Sequence, residues 1–540
     1  MDAAAIYARR WWTLGVLCMS LLVIGIDNTI LNVALPTLTR ELHATTTQLQ
    51  WIVDGYTLVF AGLLLTAGSL GDRFGRRGAL TLGLVIFGTG SLLSALAASP
   101  GQLIATRCLM GIGGAFIMPA TLSILTNVFT VPAERARAIA VWAGFSAMGI
   151  AFGPISGGYL LEHFSWSSVF VVNLPIVVVA LIGGRLFIPT SKDPSAPRLD
   201  PIGAGLSIAG LTSLLYGIIE APSYGWTDAK TLAAFAVAVV LLGAFVAWEA
   251  HIDHPMLDVH FFDNPRFTAA SLAVTLTFFA LFGALFLLTQ YLQIVLGYSA
   301  LEAGAALIPI AAVLMVCAPL SAKLVEGVGT KVIVAGGLVG VAAGLAVMST
   351  LGASSGYGPV LLSLVVLGAG MGFTMAPATE SIMGSLPLGK AGVGSAVNDT
   401  TRQVGGALGV AILGSLVSSS YGTRVVEAFR AGGVRGPAVT AARDSIGAAV
   451  GVAQGVGGAP GRALATAARV AYVDAMGPAV MVAAAAALLG AVIAAVFLPA
   501  RAPEPPAPAP AAAADEDELG DMTGQRGGDD DLPALERTGA

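Results

Sequence analysis

Three ionisable residues, Asp27, Asp54 and Arg107, stand inside long apolar segments of this 540-residue chain. An ionised side chain that faces lipid is costly, so each should face the protein interior, a cavity or a partner. A buried carboxylate can bind and release a proton, and a neighbouring arginine changes its affinity for that proton. The three residues therefore predict a site for proton exchange and for binding charged molecules. The alternative is a static salt bridge, with Asp54 merely near the membrane interface.

The composition indicates a protein whose solvent is lipid. Apolar residues make up 56% of the chain, charged residues only 11%, and the mean hydropathy is +0.82. A soluble fold could not bury that much apolar surface. The three cysteines lie far apart in separate apolar segments, so they predict neither a disulfide framework nor a metal site.

Apolar stretches of roughly 20 residues, the length that crosses about 30 Å of hydrocarbon, predict fourteen membrane-spanning helices. The least secure of these predicted spans are 201–220 and 231–250. The predicted spans are 12–35, 49–69, 80–98, 102–125, 138–160, 168–188, 201–220, 231–250, 267–291, 303–322, 332–351, 358–379, 402–420 and 476–499.

Short-loop arginines and lysines are retained in the cytoplasm, and their distribution sets the predicted orientation. On the N-terminal side lie Arg9, Arg10, Arg73, Arg76, Arg77, Arg135, Arg137, Lys192, Arg198, Arg266, Lys323, Lys331 and Lys390. Only Arg40 and Lys230 stand in short loops on the opposite side. Both termini are therefore predicted to be cytoplasmic. The abundance of arginine over lysine, with much alanine and glycine, indicates a high-GC bacterium, so the expected location is a bacterial inner membrane.

This orientation places the three ionisable residues at a similar depth. Asp27 lies about eight residues before the outer end of the first helix, and Asp54 and Arg107 about five residues from theirs, roughly 7 Å at 1.5 Å per residue. All three are predicted to lie in the outer half of the membrane.

Two glycine-containing motifs predict close helix contacts. Gly68 to Arg77 reads G-S-L-G-D-R-F-G-R-R at the cytoplasmic end of the second predicted helix, and the alternative is an ordinary basic loop. In the fifth predicted helix, Gly149, Gly153 and Gly157 recur every four residues and so share one face, while Pro154 favours a bend. A purely structural packing face is the alternative for this second motif.

These motifs resemble those of the major facilitator superfamily. The resemblance includes Arg107 with Gly111, Gly113 and Gly114, and the exporter-like G-P-I-S-G-G from Gly153 to Gly158. The sequences D-N-T-I-L-N-V-A-L-P from Asp27 and W-I-V-D-G-Y-T-L from Trp51 are similar to those of the fourteen-helix drug:proton antiporters, which export quaternary-ammonium compounds, other drugs and antibiotics. Further similarity lies in L-D-P-I-G near Asp200, Y-L-Q-I-V-L-G-Y-S near Tyr291 and T-R-Q-V-G-G-A-L-G near Arg402.

The resemblance implies an all-α membrane protein with the major facilitator fold, in which two six-helix bundles flank two inserted helices and enclose a substrate cavity near the midplane. The expected divisions are an N-terminal bundle at 1–190, the inserted pair at 191–258, a C-terminal bundle at 259–500 with a long extracellular loop at about 421–475, and a disordered acidic cytoplasmic tail at 501–540. The resemblance also implies a conformational latch formed by Gly68, Asp72, Arg73, Gly75, Arg76 and Arg77. The packing residues of the antiporter motif are Gly149, Gly153, Pro154, Gly157 and Gly158.

The expected function is proton-coupled efflux of drug-like molecules, with protons, the substrate and the bilayer as partners. The expectation includes no cofactor, no metal, no nucleic acid and no enzyme activity, and leaves the oligomeric state open. An uptake symporter, or a membrane enzyme or signalling protein, is the alternative. Two weaker patterns predict no function. Gly384 to Ala391 resembles a phosphate-binding loop but lacks its final Ser or Thr, and a solvated interfacial loop is favoured over a metal site for His251, His254 and His260 with Asp253 and Asp258.

Overall fold

The structure, a computed structural model, describes residues 3–192, 200–253, 255, 257–386 and 391–500. The side chains of Asp72 and some other helical residues lie outside the described set, as do His254, residues 387–390 of the phosphate-loop-like segment, and the acidic tail. The described residues form helices and no strands.

The α-helices, numbered in chain order, are joined by one 3-10 turn at Val259–Asp263 and one π turn at Tyr291–Val295. Their bounds are α1 Ala3–Glu41, α2 Thr46–Phe74, α3 Arg76–Ala95, α4 Pro100–Val128, α5 Pro132–His163, α6 Ser168–Val171, α7 Asn173–Phe187, α8 Pro201–Tyr224, α9 Ala229–Glu249, α10 Pro265–Gln290, α11 Ala300–Ala306, α12 Ile308–Val328, α13 Thr330–Ser349, α14 Tyr357–Met383, α15 Ala391–Ala431, α16 Pro437–Asp444, α17 Ile446–Val456 and α18 Gly458–Phe497.

Each of the fourteen predicted spans overlaps a helix. Within the described residues, twelve helical segments are both long and apolar enough to cross a membrane. The other two predicted spans fall in α2 and α5, which have 29 and 32 residues and are therefore long enough to cross about 30 Å of hydrocarbon. The exact number of crossings stays a prediction.

Helix starts in this chain repeatedly combine a polar N-cap with a following proline. Ser99, Asp200 and Asn264 each accept a hydrogen bond from a backbone N–H in the first turn, and a proline follows each of them directly. The cap satisfies a backbone donor that has no partner within the helix, and proline lacks the N–H that would be unsatisfied there. These signals fix where α4, α8 and α10 begin.

The helices form two bundles and an inserted pair. In the first bundle α1 packs on α5 and α7, and α4 packs on α2 and α3; in the second, α10 packs on α15 and α18, and α14 on α12 and α13. The inserted helices α8 and α9 pack on each other, and α8 also contacts α2 and α15. The inserted pair therefore contacts both bundles, at the place where α2 meets α15.

The segment predicted as a long loop at about 421–475 is mostly helical. It contains the end of α15, the helices α16 and α17, and the start of α18, with turns at Gly433 and Gly457, whose φ values are +83° and +67°. A search for apolar runs cannot detect such helices, because arginines interrupt them and α16 has little apolar length. The segment predicted as a long loop therefore contains helices, and its extracellular placement stays a prediction.

The two bundles meet at the end of the molecule that is predicted to face outward. Gln293 Nε2 donates to the carbonyl of Val33 at 2.7 Å, and Thr46 Oγ1 donates to the carbonyl of Asp444 at 2.8 Å. Gln50 is fully buried and its Nε2 donates across the interface to the carbonyl of Ala411 at 2.9 Å. These hydrogen bonds join the two bundles, so the end that is predicted to face outward is closed.

Candidate proton-exchange and substrate site

Asp27 of α1 and Arg107 of α4 form a buried ion pair. Arg107 Nη1 lies 2.6 Å from Asp27 Oδ2, and the two side chains are 2% and 1% exposed to solvent. A buried charge without a partner is costly, so the mutual neutralisation explains why both charges are tolerated in an apolar bundle. Two of the predicted site residues are thus in direct contact, and their role in proton coupling stays a prediction.

Backbone and aromatic contacts fix the guanidinium of Arg107. Its Nε donates to the carbonyl of Ile52 at 3.2 Å, and its Cζ lies 4.4 Å from the centre of the Tyr56 ring. Gly111 makes this approach possible, because a Cβ at that position would lie 2.6 Å from the carbonyl oxygen of Tyr56. The arginine and glycine of α4 therefore act together to bring its backbone against α2.

A third side chain, Asn173 of α7, contacts the other oxygen of Asp27. Its Nδ2 lies 3.4 Å from Asp27 Oδ1 and 3.1 Å from Ser91 Oγ, and Ser91 donates in turn to the carbonyl of Phe170 at 2.8 Å. Asn173 is not among the site residues predicted from the sequence. The available signal was an amide two residues before Pro175, inside an otherwise apolar segment.

Pro175 explains how Asn173 reaches this position. Proline has no N–H to donate to the carbonyl four residues earlier, that of Val171, so the helix ladder is interrupted there. The chain accordingly divides into α6, which ends at Val171, and α7, which begins at Asn173. Asn173 thus lies at a helix break, where it is fully buried against α1 and α3.

Asp54 lies in a different environment from the ion pair. It is fully buried, and neither carboxylate oxygen has a hydrogen-bond partner among the described residues. It shares a face of α2 with Gln50, which contacts α15, and with Leu58, which packs in a cluster with residues of α8 and α15. The structure therefore places Asp54 on the side of α2 that meets the second bundle, beyond ion-pair distance of Arg107.

The glycine face of α5 packs directly on α1 beside Asp27. A Cβ at Gly149 would lie 2.9 Å from Gly25 Cα, and a Cβ at Gly153 would overlap Thr29 Oγ1. Gly157 is similarly close to Ile30. The predicted close-packing face is therefore present, and it fixes the turn of α1 that carries Asp27.

The same motif also touches the second bundle. A Cβ at Gly158 would lie 2.6 Å from the carbonyl oxygen of Ala300, and Gly304 of α11 packs against the carbonyl of Pro154. Glycine at these positions lets two backbones from different bundles come into contact. The motif thus lies at an interface that must separate if the outer side opens.

The basic segment from Gly68 to Arg77 packs within the first bundle. Gly75, with a φ of +124°, makes the turn between α2 and α3, and the N–H of Arg76 donates to the carbonyl of Ser191 at 3.0 Å. Arg77 Nη1 donates to the carbonyl of Ile188 at 3.3 Å. Gly68 packs on Pro119 of α4, and Arg73 is exposed.

Two other regions contain polar groups but are remote from Asp27. A groove of about 700 Å³ opens between the C-terminal part of α15 and the N-terminal part of α18, where Arg424 pairs with Asp474 at 2.9 Å. In the histidine-containing loop, His260 Nδ1 lies 3.1 Å from Asp258 Oδ1. No group of three or more histidine, cysteine or acidic side chains that could hold a metal is present among the described residues.

Comparison with known proteins gives a consistent result along most of the chain. The family described as Major Facilitator Superfamily matches residues 17–410. The chain is 37% identical over 489 residues to the multidrug efflux pump LfrA of Mycolicibacterium smegmatis. This alignment covers 90% of this chain and 96% of that protein. It is 34% identical over 498 residues to the tetracenomycin C resistance and export protein of Streptomyces glaucescens, covering 91% and 92%.

The fold also matches a solved structure. A bacterial homolog of the human lysosomal transporter Spinster, crystallised in an inward-facing and unoccupied conformation, superposes with a TM-score of 0.63. The match covers 92% of this chain and 99% of that one, at 20% identity. At this identity the likeness concerns the fold alone.

Proposed function

The chain belongs to the Major Facilitator Superfamily, and from that premise we propose that it exports small amphipathic, drug-like molecules in exchange for protons. It is a multi-pass bacterial membrane protein and a transporter. The observation that carries the proton-coupled part of the proposal is the buried contact between Asp27 and Arg107. The export direction is supported by the relatives, whose names describe efflux, resistance and export.

In the proposed cycle, Asp27 is the residue that carries the proton. With the outer side closed, Asp27 is ionised and paired with Arg107, which corresponds to the stage after the proton has left toward the cytoplasm. When the bundles rock to open the outer side, movement of α1 relative to α4 separates the pair, and protonation then neutralises the carboxylate. Closing of the outer side restores the ion pair and expels the proton inward.

We propose that Asp54 attracts cationic substrates. A carboxylate that is buried without a hydrogen bond is unfavourable, and a positively charged substrate would neutralise it. Asp54 lies beside the contact between α2 and α15, and this position supports the proposal. Opening of that interface would expose Asp54 to the space between the bundles. Amphipathic organic cations are therefore the proposed substrate class.

We further propose that Asp72, with Gly68, Arg73, Gly75, Arg76 and Arg77, forms the cytoplasmic latch, with both termini on the same side. In support, Arg76 and Arg77 hydrogen-bond to the chain that directly follows α7, which would hold this segment in place as the bundles separate. Asp72→Asn should then lower the transport rate at saturating substrate more than it weakens substrate binding. Loss of binding affinity with a normal saturated rate would contradict the latch role.

Ethidium accumulation in an efflux-deficient bacterium tests the function. Cells that express the protein should accumulate less ethidium than vector controls, and a protonophore should abolish the difference. Higher accumulation than in the controls would indicate uptake and contradict the proposal. Cells that express Asp27→Asn at equal membrane abundance should accumulate as much ethidium as the vector control.

A further inference from the structure

Asn173 is a buried amide that is only half satisfied. It has no exposed surface, its Nδ2 contacts both Asp27 and Ser91, and its Oδ1 is buried without a hydrogen-bond partner among the described residues. A buried acceptor without a partner is uncommon and costs stability. An amide in this position can therefore offer one more hydrogen bond than it makes.

The neutral form of Asp27 would need such an acceptor. In the ionised form, Oδ2 accepts from Arg107 and Oδ1 faces the NH2 group of Asn173. When Asp27 is protonated its O–H becomes a donor, and neither the guanidinium nor the NH2 group can accept from it. Rotation of the Asn173 amide by 180° would exchange its two ends and present the unpartnered carbonyl to the acid.

Among the described residues, the side chains hydrogen-bonded to Asp27 are those of Arg107 and Asn173. Arg107 of α4 and Tyr56 of α2 are the charged or titratable groups that face it, and the Tyr56 hydroxyl has no described partner. From α3 comes only Ser91, which touches Asn173 rather than Asp27. The stretch of α5 that packs on this turn of α1, from Gly149 to Gly157, contains no charged residue.

We propose, on the basis of the proton-coupled function above, that Asn173 is a positioning residue that hydrogen-bonds Asp27 in both of its protonation states. The NH2 group holds the ionised carboxylate, and the rotated amide accepts the proton of the neutral acid. Asn173 thereby lets Asp27 bind a proton at the moment when Arg107 withdraws.

Proton release on substrate binding, in purified protein, tests this role. Saturating ethidium is added in weakly buffered solution at a series of pH values, and a pH indicator reports the protons released. A hydrogen bond to a carboxylate is stronger than one to a neutral acid, so loss of the amide destabilises the ionised form more. Asn173→Leu should therefore move the midpoint of the pH profile upward by about 0.7 unit, about fivefold in proton affinity.

Two further variants make the result specific. Asn173→Ala removes the amide without adding volume and should shift the midpoint in the same direction. Asn32→Leu is the matched control, because Asn32 is another buried amide with an unpartnered carbonyl oxygen, and its Nδ2 donates to the carbonyl of Asn28 instead of contacting Asp27. Its midpoint should equal that of the wild type.

Infrared difference spectra separate the acceptor role from a purely structural one. The carbonyl band of protonated Asp27, identified by its absence in Asp27→Asn, should shift to higher frequency in Asn173→Leu and not in Asn32→Leu. An unchanged midpoint and band in both Asn173 variants, or midpoint shifts of opposite sign, would overturn the inference. Absence of proton release from the wild-type protein would instead contradict the proposed function itself.

Discussion

Asp27 and Asp54 are both buried in the first bundle, yet their surroundings differ completely. Both oxygens of Asp27 face donors from other helices, whereas neither oxygen of Asp54 has a described hydrogen-bond partner. Asp27 lies within the bundle, and Asp54 lies on the side of α2 that meets the second bundle. A paired carboxylate is suited to exchange its cationic partner for a proton, and an unpaired one at a separable interface is suited to receive a cation from outside the protein.

The largest effect on stability is expected from removing Arg107, the cationic partner of Asp27. Arg107→Leu leaves the charge of Asp27 buried without its partner, which typically costs about 3–5 kcal/mol. Thermal unfolding in detergent should show this loss, and the double variant Asp27→Asn with Arg107→Leu should recover most of it. An Arg107→Leu protein as stable as the wild type would mean that the pair is not needed to compensate the charge of Asp27.

A smaller loss is expected from disturbing the helix that supports Asp27. Gly153→Ala forces its Cβ against Thr29 on α1, and overpacking of this kind costs about 1–3 kcal/mol. Gly144→Ala in the same helix is the matched control, because a Cβ there meets nothing within 4 Å. Both proteins are compared by thermal unfolding and ethidium efflux. Equal behaviour of the two variants would argue against a specific role for the contact between α1 and α5.

The smallest change in stability is expected at Asp54, where the substitution should stabilise the protein instead of destabilising it. Asp54→Asn replaces a buried carboxylate that has no hydrogen bond with a neutral amide, so stability should rise by about 1 kcal/mol. Export of a dication such as methyl viologen should fall more than export of the monocation ethidium. Equal loss for both substrates would remove the proposed role of Asp54 in recognising charge.

The sequence predicted the helices better than it predicted the partners of the charged side chains. Each predicted span overlaps a helix because a membrane-spanning segment is defined by its own apolar length. Similar predicted depths for Asp27 and Arg107 were consistent with their contact, but depth does not determine which way a side chain points around its helix. Asp54 has a similar predicted depth and yet lies on the side of α2 that meets the second bundle.

The sequence predicted neither the site role of Asn173 nor the helices within 421–475, for different reasons. A neutral amide changes the hydropathy of a segment only slightly, and the role of Asn173 depends on a helix break that brings it to α1. The helices α16 and α17 are short and separated by turns, so their stability depends on packing against neighbours and not on a long apolar run.

The central claim, that Asp27 couples proton movement to transport, is tested most directly in proteoliposomes. An ethidium gradient is imposed without a pH gradient, and a luminal dye records proton flow. Wild-type protein should move protons opposite to ethidium, whereas Asp27→Asn should move ethidium down its gradient without proton flow. Proton flow at the wild-type rate in a well-folded Asp27→Asn protein would contradict the account.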